Sequence, residues 1–351
     1  MTRFSFVALP ISLLLIATSS YASSPDPEEF QQIYQGTWIQ PAESTIPNNQ
    51  QGDMIRYGRT LLNETYKYLG GGSQTQVKFT GNKLACTNCH IENGTKPNSG
   101  PWVTSYQKYA GAGKYSSRTN EYRTLPIRIN GCMQRSMAGS PLPEDSYEML
   151  SIVEYFKWLD TGIQVADWQD VNGQGMPGIP DLARAADPVR GAEIYRDECR
   201  TCHGDNGQGR WEEDEEKFRY PALWGPNSYN NGAGMYRLRT AVGFVKNNMP
   251  YGKEDLTDQE AWDVTAFINS QARPEFANHL NDWTGYGPDG MPLWMKKRVD
   301  AAYPNYWPRS DGSDNLSLPA MFTPEQHKYG PFQPLLDMQQ QLQSEWQALN
   351  Q

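Results

Sequence analysis

Two copies of one short motif limit what this chain can fold into. The pattern Cys-x-x-Cys-His occurs at residues 86–90 and again at residues 199–203. Two thiols at this spacing can each form a thioether to a haem vinyl group, and the next imidazole then lies under the iron as its proximal ligand. A zinc site or a pair of disulfides would not explain why histidine follows the second cysteine both times. The sequence therefore predicts two covalently bound haem c groups. The residues that would hold them are Cys86, Cys89, His90, Cys199, Cys202 and His203.

The N-terminus has the pattern of a secretory signal peptide. Arg3 gives a basic start, an apolar run covers residues 6–17, and Ser20 and Ala22 are the small residues before a cleavage site. The run is too short for a spanning helix, and no later stretch approaches the roughly 20 apolar residues that one needs. We expect a mature chain that begins at Ser23 and has no transmembrane span. Since c-type haem is attached outside the cytoplasm, we expect it in the periplasm.

The charge of the chain limits its partners. The formal net charge is -9, with 40 acidic and 31 basic residues. An acidic chain of this kind is not suited to nucleic acid or to an anionic membrane surface.

Helical periodicity surrounds both motifs. Apolar spacing predicts one helix over residues 54–68 and a closing helix over residues 144–159 in the first half. In the second half, a short helix precedes the motif, and Thr257 begins the closing helix as an N-cap. The predicted fold is all-α, with two tandem cytochrome c domains that arose by internal duplication.

The predicted boundaries are 1–22 for the signal peptide, 23–50 for an N-terminal arm, 51–165 for cytochrome c domain 1 with the active-site haem, 166–186 for a linker, 187–274 for domain 2 with the electron-transfer haem, and 275–351 for an aromatic- and Pro-rich C-terminal extension. We expect the extension to pack over one or both domains or to join a second subunit as an oligomer, and the sequence leaves both open.

Each haem iron needs a ligand opposite its histidine. In the second half the candidate is Met249, which lies 46 residues after His203. A Met-Pro loop before the closing helix is the usual way for a small cytochrome c to present a thioether, and His/Met ligation raises the reduction potential. Met235 and Lys253 are the alternatives, and a buried methionine of the core is the simpler interpretation.

The first half has a cysteine at the matching place. Cys132 lies 42 residues after His90 and is the one cysteine outside the two motifs. A lone thiol in an exported protein needs an explanation, which is either an inert buried side chain or a ligand. We favour a thiolate ligand that lowers the haem potential. Met133 and Met137 are the alternatives.

Basic residues cluster around this cysteine. Between residues 96 and 141 there is one acidic residue, Glu121, and the basic ones are Lys96, Lys108, Lys114, Arg118, Arg123, Arg128 and Arg135. The lysines fit a solvated face. Guanidinium groups, however, bind anions with several oxygens in a bidentate manner. The arginines therefore predict a site for a small dianion close to a sulfur-ligated iron.

Three kinds of motif together resemble the dihaem thiosulfate dehydrogenases, periplasmic enzymes that couple two thiosulfates to tetrathionate, some of which run well in reverse. They are the two Cys-x-x-Cys-His motifs, the Arg-Ile-Asn-Gly-Cys-Met-Gln-Arg-Ser-Met-x-Gly stretch from Arg128, and the Asn-Met-Pro-x-Gly loop from Asn248. The resemblance covers roughly residues 53–273. The stretch from Arg128 is specific, whereas many cytochromes share the other two.

The resemblance implies roles for single residues. Cys132 would ligate the active-site haem, Arg118 and Arg128 would bind substrate, and Met249 would ligate the second haem. Some members have a lysine beside that methionine and can use it as a ligand. Here the residue is Asn248, so an exchange of ligands is not implied.

These expectations give a working hypothesis for the reaction. Thiosulfate would bind at Arg118 and Arg128, with Arg123 as a further contact, and Cys132 would carry one thiosulfate as a sulfenyl adduct. Electrons would pass from haem 1 to haem 2 and then to a soluble periplasmic acceptor. The acidic run at residues 212–216 could steer a basic acceptor, although such runs are more often solvated loops.

Three other functions are compatible with the motifs. In a non-catalytic dihaem electron-transfer cytochrome, Cys132 would be structural. A sulfur-oxidation cytochrome that attaches thiosulfate to a carrier protein would also use a cysteine-ligated haem. A dihaem peroxidase is disfavoured, because it needs an open iron coordination site with catalytic groups above it.

Overall fold

The chain is mostly helical in the computed structural model, which describes residues 32–301 and 322–350. The predicted signal peptide and the first residues of the arm lie outside these ranges. Apart from short helical turns at residues 32–34 and Ile91–Gly94, the helices are α1 (Gln50–Asn63), α2 (Thr65–Leu69), α3 (Ser105–Lys108), α4 (Leu125–Arg135), α5 (Tyr147–Asp160), α6 (Pro188–Ile194), α7 (Arg200–His203), α8 (Leu238–Asn248), α9 (Asp258–Ser270), α10 (Pro324–Tyr329) and α11 (Gln333–Leu349). Two antiparallel hairpins accompany them, β1 (Lys114–Ser116) with β2 (Glu121–Arg123), and β3 (Arg210–Glu212) with β4 (Lys217–Tyr220). No helix among the described residues is long and apolar enough to cross a membrane.

Helices α1 and α5 cross in the first half of the chain. Asn49 caps α1 by accepting a hydrogen bond from the backbone N–H of Gly52, and Ser146 caps α5 in the same way. The crossing is close at Gly58, where a Cβ atom would lie 2.0 Å from the carbonyl oxygen of Ser151. Only glycine fits at this contact.

Helices α6 and α9 cross in the second half. Asp187 caps α6, and Thr257 caps α9 in a capping box with Glu260, as the sequence predicts. Here the close contact is at Gly191, where a Cβ atom would lie 1.9 Å from the carbonyl oxygen of Asp263. Gly58 and Gly191 therefore have equivalent packing roles.

The observed elements differ from the predicted ones in two places. The helix expected over residues 54–68 begins earlier and is broken at Glu64, between α1 and α2. The arm is also more closely attached than its polar composition suggests. Tyr34 and Trp38 are buried in the first core, and their side chains donate hydrogen bonds to the carbonyl oxygens of Thr95 and Leu159.

The C-terminal extension packs on the rest of the chain. Phe332 lies against Trp262 of α9 with ring centroids 5.7 Å apart, and Leu335 and Leu342 of α11 are buried in the same core. Another part of the extension, around Trp283, reaches the first half, where the backbone N–H of Trp283 donates to the carbonyl oxygen of Arg118. Packing over the chain is therefore the arrangement found for the described part of the extension.

Candidate functional site

The first Cys-x-x-Cys-His motif forms a tight turn at one wall of a cavity. Cys86–Asn88 is a 3-10 turn, and the backbone N–H of Cys86 donates to the hydroxyl of Thr65. The imidazole of His90 is held through Nδ1, which lies 2.5 Å from the carbonyl oxygen of Gly100. With the proton on Nδ1, this bond leaves Nε2 as the ring nitrogen for a metal. Burial lowers the pKa of His90 to about 4, so the ring is neutral.

The cavity fits a haem by its size and by the chemistry of its lining. Its volume is about 580 Å³, and Cys86, Cys89 and His90 line it. Pockets for cofactors and drug-sized ligands span roughly 300–1,000 Å³. None of the cysteines in the described residues forms a disulfide, so both thiols of the motif are available. If a haem binds here, the two thiols and Nε2 of His90 are the groups that hold it.

Cys132 lies on helix α4 and lines the same cavity. One turn earlier on the helix, Arg128 donates a hydrogen bond from Nη1 to the Cys132 sulfur over 2.7 Å. Coulombic interaction with Cys132 raises the pKa of Arg128 above its usual range. Of the two alternative ligands, Met137 also lines the cavity, whereas Met133 is buried outside its lining.

The charge of the cavity has one sign. Among the described residues that line it, none is acidic, and nine are basic, namely Lys108, Lys114, Arg118, Arg123, Arg128, Arg135, Arg237, Lys296 and Arg298. Six of these belong to the predicted basic cluster. The seventh member of that cluster, Lys96, pairs with Glu254 instead. The Nε atoms of Arg123, Arg135 and Arg237 are buried without a hydrogen-bond partner in the described part of the chain. Such groups suit an anion with several oxygens.

Arg118 differs from the expected open guanidinium fork. Its Nε donates to Asp282 over 2.6 Å, and its Nη2 donates to the carbonyl oxygen of Gly232 over 2.8 Å. Burial lowers its pKa. Two of its three nitrogens are therefore engaged by the protein, which leaves less of this side chain for a bidentate contact than Arg128 or Arg123 could offer.

The second motif continues helix α6 through a π-turn into α7. The imidazole of His203 is oriented through Nδ1, which lies 2.9 Å from the carbonyl oxygen of Pro221. Met249 follows α8, and its side chain packs against the same core as Cys199. The two alternative ligands lie elsewhere. Lys253 pairs with Glu198 at the surface, and Met235 lines the first cavity.

The loop around Met249 contacts the segment that follows the first motif. The Tyr251 hydroxyl donates to Glu92, and the Asn248 side chain donates to the carbonyl oxygen of Asn98. The Lys96–Glu254 ion pair joins the same two segments. Two hydrogen bonds and an ion pair between these segments thus connect the two candidate iron sites.

The sequence did not point to the basic residues at 237, 296 and 298 or to Asp282. The three basic residues reach the cavity only through the fold, since Arg237 precedes α8 and the other two belong to the C-terminal extension. Asp282, also in the extension, reaches two arginines of the cavity lining. Nothing in their local sequence distinguishes them from ordinary surface charges.

Comparisons with known proteins agree with the motifs. The family model of cytochrome C oxidase, cbb3-type, subunit III matches residues 186–268. The chain is 37% identical over 236 residues to a thiosulfate dehydrogenase of Stutzerimonas stutzeri, which is 67% of this chain and 72% of the relative. It is 37% identical over 247 residues to a thiosulfate dehydrogenase of Allochromatium vinosum, which is 69% of this chain and 86% of the relative.

A solved structure is also similar. It is that of thiosulfate dehydrogenase (TsdBA) from Marichromatium purpuratum in its as-isolated form, with a TM-score of 0.62 and 32% sequence identity. The match covers 68% of this chain and half of that longer chain.

Proposed function

The chain belongs to the thiosulfate dehydrogenase family of enzymes, and we propose that it joins two thiosulfate ions into one tetrathionate. In this reaction one sulfur–sulfur bond forms, two electrons leave and no proton is released. The observation that carries the proposal is the cavity around Cys132, whose described lining holds nine basic side chains and no acidic one. A site for this chemistry needs cations for two dianions and needs no general base.

The cations overcome the repulsion between the substrates. Two dianions that approach within bonding distance repel each other strongly in a partly buried site. Arg128 and Arg123 line the cavity and bring guanidinium forks suited to sulfonate oxygens. Fixed charges of this kind stabilise the transition state because they need no rearrangement when the sulfur atoms meet.

Cys132 is the group that would carry the first sulfur. Its thiolate and one thiosulfate lose two electrons and form a Cys–S–S–SO₃⁻ adduct. The outer sulfur of a second thiosulfate then attacks the adduct sulfur that bears the sulfonate, which releases tetrathionate and restores the thiolate. The hydrogen bond from Arg128 holds Cys132 and stabilises its negative charge before and after the adduct.

The two haem c groups would accept the electrons one at a time. We propose two tandem cytochrome c domains, each with one covalently bound haem. His90 and Cys132 would be the iron ligands in the first domain, and His203 and Met249 those in the second. The equivalent helix crossings at Gly58 and Gly191 support the duplication. The boundaries given above, with the residues from 275 onward as a C-terminal extension, remain part of this proposal.

Electrons would leave the first domain through the second. The bonds from Tyr251 to Glu92 and from Asn248 to Asn98 support this route, because they keep the loop of Met249 against the segment after His90. We propose that the acceptor is a soluble periplasmic electron carrier. The acidic run at 212–216 is mostly engaged locally, for example in the Glu215–Lys217 ion pair, so it supports charge steering less than its sequence suggests.

Steady-state oxidation of thiosulfate by the holoprotein, with ferricyanide as acceptor, tests this function. We expect two ferricyanide ions to be reduced for each tetrathionate formed. Cys132→Gly should retain both haems and lose turnover, whereas Met133→Leu, on the same helix but outside the cavity lining, should match wild type. Wild-type protein inactive in both directions, or an active Cys132→Gly variant, would contradict the proposal.

A further inference from the structure

The carboxylate of Asp282 joins the C-terminal extension to the cavity. It is almost fully buried, with a side-chain exposure of 3%. Its Oδ2 accepts from Nε of Arg118 over 2.6 Å, and its Oδ1 accepts from Nη2 of Arg135 over 2.8 Å. One acid of the extension therefore binds two arginines of the first half, both of which line the cavity.

Aromatic side chains of the same segment pack on these two arginines. The guanidinium carbon of Arg118 lies 5.0 Å from a ring centroid of Trp283, and that of Arg135 lies 4.4 Å from the ring centroid of Phe276. The backbone N–H of Trp283 also donates to the carbonyl oxygen of Arg118 over 2.7 Å. Each guanidinium is thus fixed by a carboxylate oxygen and by the face of a ring.

The arrangement brings two like charges together. Arg118 and Arg135 share one carboxylate, and without it their guanidinium groups would repel each other in a site largely shielded from water. Asp282 does not line the cavity, so it acts from behind the two arginines rather than on the ligand.

We propose that Asp282 is a positioning residue of the substrate site, which makes the C-terminal extension part of the thiosulfate-binding apparatus. The proposal rests on the proposed function. The carboxylate fixes Arg118 and Arg135 at a separation at which their remaining N–H groups meet the sulfonate oxygens of thiosulfate. Trp283 completes this wall of the cavity beside them.

A positioning role for Asp282 and a role through its charge alone predict opposite changes of KM in the Asp282→Asn variant. Asp282→Asn removes a negative charge and so raises the positive potential of the cavity. If Asp282 affected only that potential, a dianion would bind more tightly and KM for thiosulfate would fall. If it positions Arg118 and Arg135, the two guanidinium groups move apart and KM rises. Asp282→Glu keeps the charge and displaces the carboxylate, so only positioning predicts a rise there too.

The experiment compares both variants with wild type as holoproteins, after their haem content and melting temperature have been measured. We expect KM for thiosulfate to rise about tenfold in Asp282→Asn, the effect of one hydrogen bond to a charged group, with kcat changed less than twofold. Isothermal titration of the oxidised proteins with tetrathionate, which cannot react without electrons, should give a matching loss of affinity. Asp337→Asn, an exposed acid on α11 of the same extension, should resemble wild type.

The outcomes separate this inference from the proposed function. Wild-type protein that neither oxidises thiosulfate nor reduces tetrathionate contradicts the function. Active wild type with an unchanged or lower KM in Asp282→Asn overturns the inference alone. If Asp282→Asn does not fold, the KM of Asp282→Glu is used instead, and an unchanged or lower value overturns the inference. On an Arg118→Gln background the effect of Asp282→Asn should shrink by at least half, because the two residues act through one contact.

Discussion

Tyr251 donates a hydrogen bond from its hydroxyl to Oε1 of Glu92 over 2.5 Å. The bond joins the loop after Met249 to the turn after His90, and so the ligand loops of the two candidate haem sites support each other. An oligomer is not needed to bring them together, because both loops belong to one chain.

Removing this hydroxyl should affect electron transfer between the domains rather than substrate binding. In Tyr251→Phe we expect an unchanged KM for thiosulfate and a loss of about 2 kcal/mol in stability, the contribution of a hydrogen bond to a charged acceptor. Stopped-flow spectroscopy should find slower reduction of the second haem after the first. A variant with the wild-type rate would exclude this contact from the route. Tyr147→Phe, at a partly exposed tyrosine of α5, is the control.

Replacing Arg128 by lysine should separate its charge from its geometry. Lysine keeps the positive charge but lacks the planar fork and does not reproduce the short contact to the Cys132 sulfur. We expect kcat/KM for thiosulfate to fall about 10- to 100-fold, equivalent to one hydrogen bond between charged groups. Steady-state kinetics measure this fall, and Lys114→Arg at the same cavity should lose less than threefold. An Arg128→Lys variant with wild-type kinetics would contradict the role of the fork.

Replacing Cys132 by methionine should raise the potential of the first haem. A thioether donates less electron density to iron than a thiolate does, so a rise on the order of 0.1 V or more is expected. Redox titration followed by absorbance should find one midpoint shifted and the other unchanged, and the thiolate-to-iron spectroscopic signature should disappear. If both midpoints stay where they are in wild type, Cys132 is not a ligand.

Met249→His provides the converse experiment at the second haem. Imidazole stabilises the oxidised iron more than a thioether does, so this midpoint should fall on the order of 0.1 V. The thioether-to-iron absorption band should be lost and electron delivery to ferricyanide should slow. Met235→His, in the first cavity, should leave the second midpoint unchanged, and a shift in that variant instead would reassign the ligand.

Lys297 should make stability depend on pH. It is 2% exposed, its Nζ has no hydrogen-bond partner among the described residues, and burial lowers its pKa to about 7, partly offset by Asp300. Between pH 7 and about 10.4, the unfolded chain binds one more proton here than the folded chain, so stability rises with pH over this range. Below pH 7 Lys297 is protonated in both the folded and the unfolded chain, and its contribution to stability stays at its least favourable value.

Substitution of Lys297 by methionine tests this effect. We expect Lys297→Met to be more stable than wild type by a few kcal/mol near pH 7 and to lose the rise toward pH 10. Denaturant unfolding at a series of pH values, followed by circular dichroism, measures both. Lys78→Met, at an exposed lysine, should keep the wild-type profile. An undiminished rise in Lys297→Met would assign the pH dependence to other groups.

Local chemistry made the motifs and the helix caps predictable. The spacing of Cys86, Cys89 and His90 is fixed by the haem that it would hold, and Thr257 caps its helix through contacts within four residues. The same holds for Arg128 and Cys132, which are one helical turn apart and meet wherever α4 forms. Their juxtaposition follows from helical geometry alone.

Long-range contacts were not predictable in this way. The Asp282–Arg118 pair spans 164 residues of sequence, and its formation depends on how the C-terminal extension packs. The buried Tyr34 was missed for a related reason. The polar composition of the arm indicates exposure, whereas two buried aromatic side chains, Tyr34 and Trp38, attach it to the core, each with one hydrogen bond to a carbonyl oxygen.

The wall that Trp283, Lys296 and Arg298 add to the cavity has a consequence for how the protein is assembled. A chain that folds from its N-terminus as it emerges presents Cys86 and Cys89 long before these residues are available. If haem is attached at these cysteines while the chain is being exported, it would meet an open groove, which becomes enclosed once the last fifth of the sequence arrives. The order of export would thus allow a large rigid cofactor to enter a site whose final opening needs to admit only small anions.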